Sequence, residues 1–156
     1  MLTDPDTSLP ELRVDQRLFI CSGTSWWEAL EDIRTPREQQ VFQGWDVDRH
    51  YRKGDWILTY LSTRPRVFLC WEQATQDATP TGKIWVDHDT SVLFSNLIVV
   101  DHIETRTGLT ISSKRWFEGT EAQTIRHELT KELGYPRSWH GLDDIAGTGD
   151  GSVLNY

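Results

Sequence analysis

The stretch 44–71, GWDVDRHYRKGDWILTYLSTRPRVFLCW, decides the fold. It reads as a tryptophan on a loop, a basic approach, a tight Lys53-Gly54-Asp55 turn, and two apolar strands joined by a short link that contains Pro65. Residues 56–60 (WILTY) and 67–71 (VFLCW) are rich in β-branched and aromatic side chains and bounded by turn residues, which is the strand signature. Around them stand Trp26, Trp27 and Trp45 on one flank, with Trp85 and Trp116 on the other. Eight tryptophans in 156 residues is several times ordinary usage, and a cage for a planar ligand would account for the excess.

Working outward, RLFIC (17–21) predicts a short buried strand that stops at Ser22-Gly23, where glycine permits a sharp turn or a close approach. Ser25 and Glu28 have capping-box spacing, and Trp26, Ala29, Leu30 and Ile33 recur at helical intervals, leaving Trp27 on another face. A second such box, Thr35 to Glu38 with Pro36 at the first helical position, predicts a helix that ends at Gly44 and delivers Trp45 to a loop. Beyond the strand pair, brief strands are expected at 84–86, 97–103 and 109–112. A last helix is expected from Thr120, capped by Gln123, striped by Ala122, Ile125, Leu129 and Leu133, and closed by Gly134 and Pro136. The expected fold is α+β: a small mixed or antiparallel β-barrel of about six strands, with two helices after strand one and a C-terminal helix. It would occupy residues 17–135, after a loose leader (1–16) and before a loosely held tail (136–156).

The length suits one domain. No apolar run approaches the ~20 residues of a membrane helix, and the N-terminus is polar and acidic rather than signal-like, so a cytoplasmic location is expected. Cys21 and Cys70 lie among apolar neighbours and read as buried reduced thiols, although a disulfide between two strands stays open. A net charge of −8 argues against a non-specific nucleic-acid coat, since phosphate binding draws on a basic surface. It leaves room for a local basic face. Arg49, Arg52 and Lys53 precede the strand pair, and Lys114 and Arg115 precede Trp116, so each cluster sits beside an aromatic.

The order of elements resembles the EVE family of the PUA-like superfamily, relatives of the YTH domains. The segments that carry the resemblance are LFICSG, GWDVDRHYRKGDWILTYLS, VFLCWEQATQDATPT and SSKRWFEGTEAQTIRHEL, which span roughly residues 17–133. The resemblance implies a pocket on the barrel for a flipped or modified base, with cytosine in DNA for EVE domains and methylated adenine in RNA for YTH domains. By position, Ser22 and Gly23 would border it, Trp45 would form a cage wall, Ser62 would end the neighbouring strand, and Arg115 would contact phosphate or base. Trp85 would stand on a mobile loop. Trp116 departs from the small or polar residue of the relatives and would alter the rim.

A flipped base must recover a few kcal/mol of unstacking from aromatic contact and hydrogen bonds, and one stacked base returns roughly 1–3 kcal/mol. Among the tryptophans, Trp26, Trp56 and Trp71 read as core, whereas Trp27, Trp45, Trp85 and Trp116 fall on loops or element ends. The expected function is a non-catalytic reader of 5-methyl- or 5-hydroxymethylcytosine in DNA, without cofactor or metal. It would act as a monomer away from membranes, with a separate or fused nuclease as its partner in modification-dependent restriction. Its pocket would comprise Ser22, Gly23, Trp27, Trp45, Ser62, Trp85 and Trp116, with Arg49, Arg52, Lys53, Lys114 and Arg115 on the backbone. The alternatives are a modified-RNA reader, a module for a protein or small molecule, or a metal-dependent enzyme using Asp87, His88 and Asp89. The zinc-protease, Ser-nucleophile and phosphate-loop motifs are missing, and His102 reads as structural.

Overall fold

The computed structural model describes residues 9–23, 40–41, 46–80, 83–87, 89–94 and 96–134. In chain order these form β1 (Leu18–Gly23), β2 (Gln40–Val41), β3 (Asp46–Val47), β4 (Trp56–Leu61), β5 (Val67–Gln73), β6 (Lys83–Ile84) and β7 (Val92–Leu93). Helix α1 (Val100–Thr107), β8 (Trp116–Phe117) and helix α2 (Gly119–Leu133) follow. Six strands make one sheet in the order β3-β1-β4-β5-β7, with β8 also on β1, while β2 and β6 pair separately.

β1 and β4 run parallel from Leu18↔Trp56 to Gly23↔Leu61, and β4–β5 and β5–β7 are antiparallel. Every residue of β1 and β4 is buried, which is why both read as continuous apolar runs: a parallel pair needs cover on both faces. On one face Leu18, Ile20, Leu58 and Phe68 pack with Ile103 of α1 and with Ile125, Leu129 and Leu133 of α2. On the other, Phe19, Cys21, Ile57 and Leu69 pack with Val47, Tyr51, Ile84 and Val86. Arg106 of α1 bonds Glu132 of α2 and ties the helices together.

β1's outer edge is divided. β8 pairs with Leu18 and Phe19, β3 with Cys21 and Ser22, and between them the Ile20 N–H donates to the Arg115 carbonyl at 3.0 Å. With β3 and β8 at one side and β7 at the other, the described sheet has two edges. It is an open mixed sheet, not the expected closed barrel.

Further expectations are corrected. Within 97–103, Val99 bridges to Val67 and then α1 begins at Val100, because Val100 and Ile103 share an inward face while Asp101 and His102 point to solvent. No strand forms at 109–112, and Gln40–Val41, expected inside a helix, is β2. Residues 9–16 are not loose: Leu9 and Leu12 are buried, and Gln16 accepts the indole N–H of Trp56 at 3.0 Å. α2 forms as expected, but its N-cap is Glu118 without a side-chain bond, and Gln123 donates instead to the Leu12 carbonyl. The expected helices over 25–39, the leader before Leu9 and the tail after Gly134 lie outside the described residues.

Candidate functional site

The site grows from the Lys53-Gly54-Asp55 turn. Gly54 takes φ 95°, a left-handed value that a side chain would strain. The turn sets Asp55, a buried carboxylate, to accept the backbone N–H of Arg17 at 3.0 Å, that of Arg52 at 2.9 Å, and Nη2 of Arg17 at 3.1 Å. Hydrogen bonds to a charged group contribute about 1.5–3 kcal/mol each before overlap is considered. The start of β1 and the start of β4 are thereby locked to one another.

Arg17, so held, also donates from Nη2 to the His50 carbonyl at 2.7 Å. Its guanidinium lies 4.8 Å from the ring centroid of Phe19 and 5.0 Å from that of Trp116. The two rings, neighbours across β1 and β8, are 5.9 Å apart with a 31° tilt, and Tyr51 meets Phe19 edge-on at 6.0 Å. Burial raises the Tyr51 pKa above its ordinary value against the pull of Arg49, with Cys21 adding to the rise, so the phenol stays neutral. Phe19 and Tyr51 are buried, but Trp116 is 39% exposed. It forms one wall of an open groove of about 670 Å³ whose other walls include Arg17, Arg49, Arg52, His50 and Tyr51, with Asp48, Asp77 and Ala78.

The acids of this groove are engaged locally. Asp48 accepts the His50 backbone N–H at 2.8 Å and faces its Nδ1 at 2.6 Å, and Asp77 accepts the Lys53 N–H at 2.9 Å. Arg49, Arg52 and Lys53 are exposed, with no ion-pair partner among the described residues. A chain of net charge −8 thus keeps a roughly balanced rim with its cations turned outward.

Of the residues singled out from sequence, Trp116, Arg49 and Arg52 come together in this groove, and Lys53 lines an adjoining hollow. Lys114 and Arg115 are on the turn that presents Trp116. Lys114 has φ 68°, uncommon outside glycine, and its Nζ is 3.7 Å from Asp46, while Arg115 stacks on Phe117 at 5.0 Å. Ser22 and Gly23 stand at the far end of β1. Ser22 is buried, three residues on from Phe19, so it lies on the opposite face roughly 10 Å along the strand. The Gly23 carbonyl accepts the N–H of the exposed Ser62 at 2.8 Å. Trp85 is half-buried, its carbonyl accepting from Thr75 at 2.9 Å. Trp27 and Trp45 lie outside the described residues.

Comparison with protein-family models, curated proteins and solved structures found no match to this chain.

Arg17 and Tyr51 belong to the site and were not among the expected residues. Arg17 reads as the first residue of a strand, and only its pairing with Asp55, 38 positions on, reveals more. Among the described residues no three metal-ligating side chains gather. In the Asp87 loop, Asp87 Oδ1 accepts the Asp89 N–H at 3.0 Å, and His88 is outside the described residues. Cys21 and Cys70 are buried thiols, as expected. Thr59 separates them on the middle strand of the three, so they stand two strand spacings apart, about 9.6 Å, beyond disulfide reach. No helix among the described residues is long and apolar enough to cross a membrane.

Proposed function

We propose that this chain is a non-catalytic nucleic-acid reader of the EVE, PUA-like type that stacks a flipped, modified base on Trp116. The base is 5-methyl- or 5-hydroxymethylcytosine in DNA, and the chain serves as the recognition part of a modification-dependent restriction system with a separate or fused nuclease. The observation that carries the reading is the exposed indole, backed by Phe19 and Arg17 at the mouth of an arginine-walled groove. A large aromatic left in water beside Arg49 and Arg52, which have no ion-pair partner among the described residues, is poor packing and a good stacking platform.

The polar lining suits a base edge. Arg17 offers donors, and Asp48 and Asp77 offer acceptors, matching a cytosine that presents one amino group and two acceptors. Trp45 is the proposed second wall. Because the rim is near electrical balance, stacking and hydrogen bonding carry the affinity and phosphate contacts from Arg49, Arg52, Lys53, Lys114 and Arg115 add to it. A single methyl contributes only about 0.8 kcal/mol, a factor of roughly four.

The test is fluorescence anisotropy with labelled single- and double-stranded oligonucleotides carrying cytosine, 5-methylcytosine or 5-hydroxymethylcytosine, with methylated adenine in RNA as comparator. The reading predicts preference for a modified cytosine, with Trp116→Ala weakening binding about fivefold or more and Trp45→Ala removing discrimination. Equal binding of every probe, or a Trp116→Ala protein that binds like the wild type, would sink it.

A further inference from the structure

The base groove does not stand alone. A second hollow of about 350 Å³ lies on the other side of Arg17 and Arg52, and these two side chains line both. Its remaining walls come from Arg13, Asp15 and Gln16 before β1, and from Lys53, Gly54 and Asp55 of the turn. Arg17 is therefore a partition, fixed by Asp55 and His50 rather than free to swing.

The charges of the second hollow are unequal in availability. Asp55 is buried and already accepts three hydrogen bonds, and Asp15 pairs with Arg13 at 3.6 Å in the open. Arg52 and Lys53 have no ion-pair partner among the described residues. The backbone N–H groups of the turn are spent: Lys53 on Asp77, Gly54 on the Ala74 carbonyl, and Asp55 on the Arg52 carbonyl. An anion here is held by side chains alone. The hollow is polar and carries no exposed aromatic, so it suits a phosphodiester and its sugar, not a second base.

Resting on the reader assignment, we infer that the ligand is a strand of at least two nucleotides. Its modified base enters the groove beside Trp116, and its neighbouring phosphodiester crosses the Arg17–Arg52 partition to sit between Arg13 and Lys53. A free base or nucleoside would fill only one of the two compartments. Arg13 joins the phosphate-contacting residues, and Arg52 serves both compartments.

The experiment is a titration of the full chain with 5-methyl-2′-deoxycytidine, its 3′- and 5′-monophosphates, dinucleotides with the modified base at either end, and a single-stranded hexamer, at several salt concentrations. Affinity should rise stepwise from nucleoside to dinucleotide, and one of the two phosphate positions should account for the rise. In the Arg13→Ala/Lys53→Ala protein, dinucleotide affinity should fall about tenfold per lost charged contact, with the salt slope flattened by about 0.7 per phosphate, while nucleoside affinity stays at the wild-type value. Dinucleotide affinity and salt slope unchanged in the variant, or nucleoside and dinucleotide binding alike in the wild type, would overturn the second seat and leave the base groove intact. No binding of any member of the series, with the fold verified by circular dichroism, would overturn the reader assignment and this inference with it.

Discussion

Arg17, Arg66 and Arg115 lie over aromatic rings, and the first two differ in what surrounds them. Arg66 sits 5.4 Å from Tyr60, donates to the carboxylates of Asp101 and Glu104 at 2.7 Å each and to the Ile111 carbonyl at 2.8 Å, and joins β5 to α1. Arg17 sits over Phe19 and Trp116 with one carboxylate, one carbonyl and an open groove beside it. Burial works to lower the Arg66 pKa, but Asp101 and Glu104 outweigh it and the result is raised. Its contribution to stability is therefore complete at ordinary pH and is lost only as pH climbs from the usual guanidinium range through the raised value. The lesson is that a guanidinium on a ring is structural when its donors are consumed and its ring is covered. It becomes a candidate reader when donors and ring edge remain open.

The sharpest way to break that contrast is Asp55→Ala. Losing a buried carboxylate that accepts two backbone N–H groups and a guanidinium should cost about 3 kcal/mol in urea denaturation and abolish oligonucleotide binding as Arg17 loses its anchor. Next comes Arg66→Ala, expected to cost about 2 kcal/mol, discounted for the exposure of Asp101, while leaving binding unchanged. Binding lost with Arg66 and retained without Asp55 would reverse the assignment of roles. Trp116→Ala should do the opposite of Arg66→Ala: roughly 1–3 kcal/mol of base affinity lost, with little change in the urea midpoint for a partly exposed ring.

The same contrast shows how far the sequence carried. β1, β4 and β5 were legible because a sheet covered on both faces leaves unbroken runs of Ile, Val, Leu and aromatic residues, and α2 because Ala122, Ile125, Leu129 and Leu133 repeat at helical spacing. α1 was not, since its apolar residues follow directly from Val99, which is extended and bridges to Val67. The usable signal was Gly108, a left-handed C-cap whose N–H donates to the Glu104 carbonyl. The site was half legible. Arg49, Arg52 and Trp116 stood out as exposed cations and an aromatic at element ends. Arg17 did not, because its role depends on Asp55 and Trp116, both remote in the chain.

Smaller effects sharpen the picture further. Burial raises the Cys21 pKa, with Cys70 and Asp46 reinforcing it against the opposing pull of Thr59 and Arg49, and burial also raises that of Tyr51. Both groups hold their protons more tightly folded than unfolded. Stability should therefore be insensitive to them below their ordinary values of 9.0 and 10.0 and decline as pH rises past those values. Tyr51→Phe should reduce the alkaline decline seen in urea titrations across that range, and an identical decline in the variant would remove Tyr51 as its source. The least effect is expected from Lys114→Gly. Relief of a left-handed backbone should stabilise the fold by up to about 1 kcal/mol while weakening DNA binding slightly through the lost charge.

The most direct test of the central claim is intrinsic tryptophan emission during titration with a modified-cytosine oligonucleotide, run in parallel on the wild type and on Trp116→Phe. Stacking a base on the exposed indole predicts saturable quenching in the wild type, stronger for the modified base than for cytosine, and loss of most of that signal in the variant while weaker binding persists by anisotropy. Quenching of equal amplitude in both proteins, or none in either, would contradict Trp116 as the stacking platform.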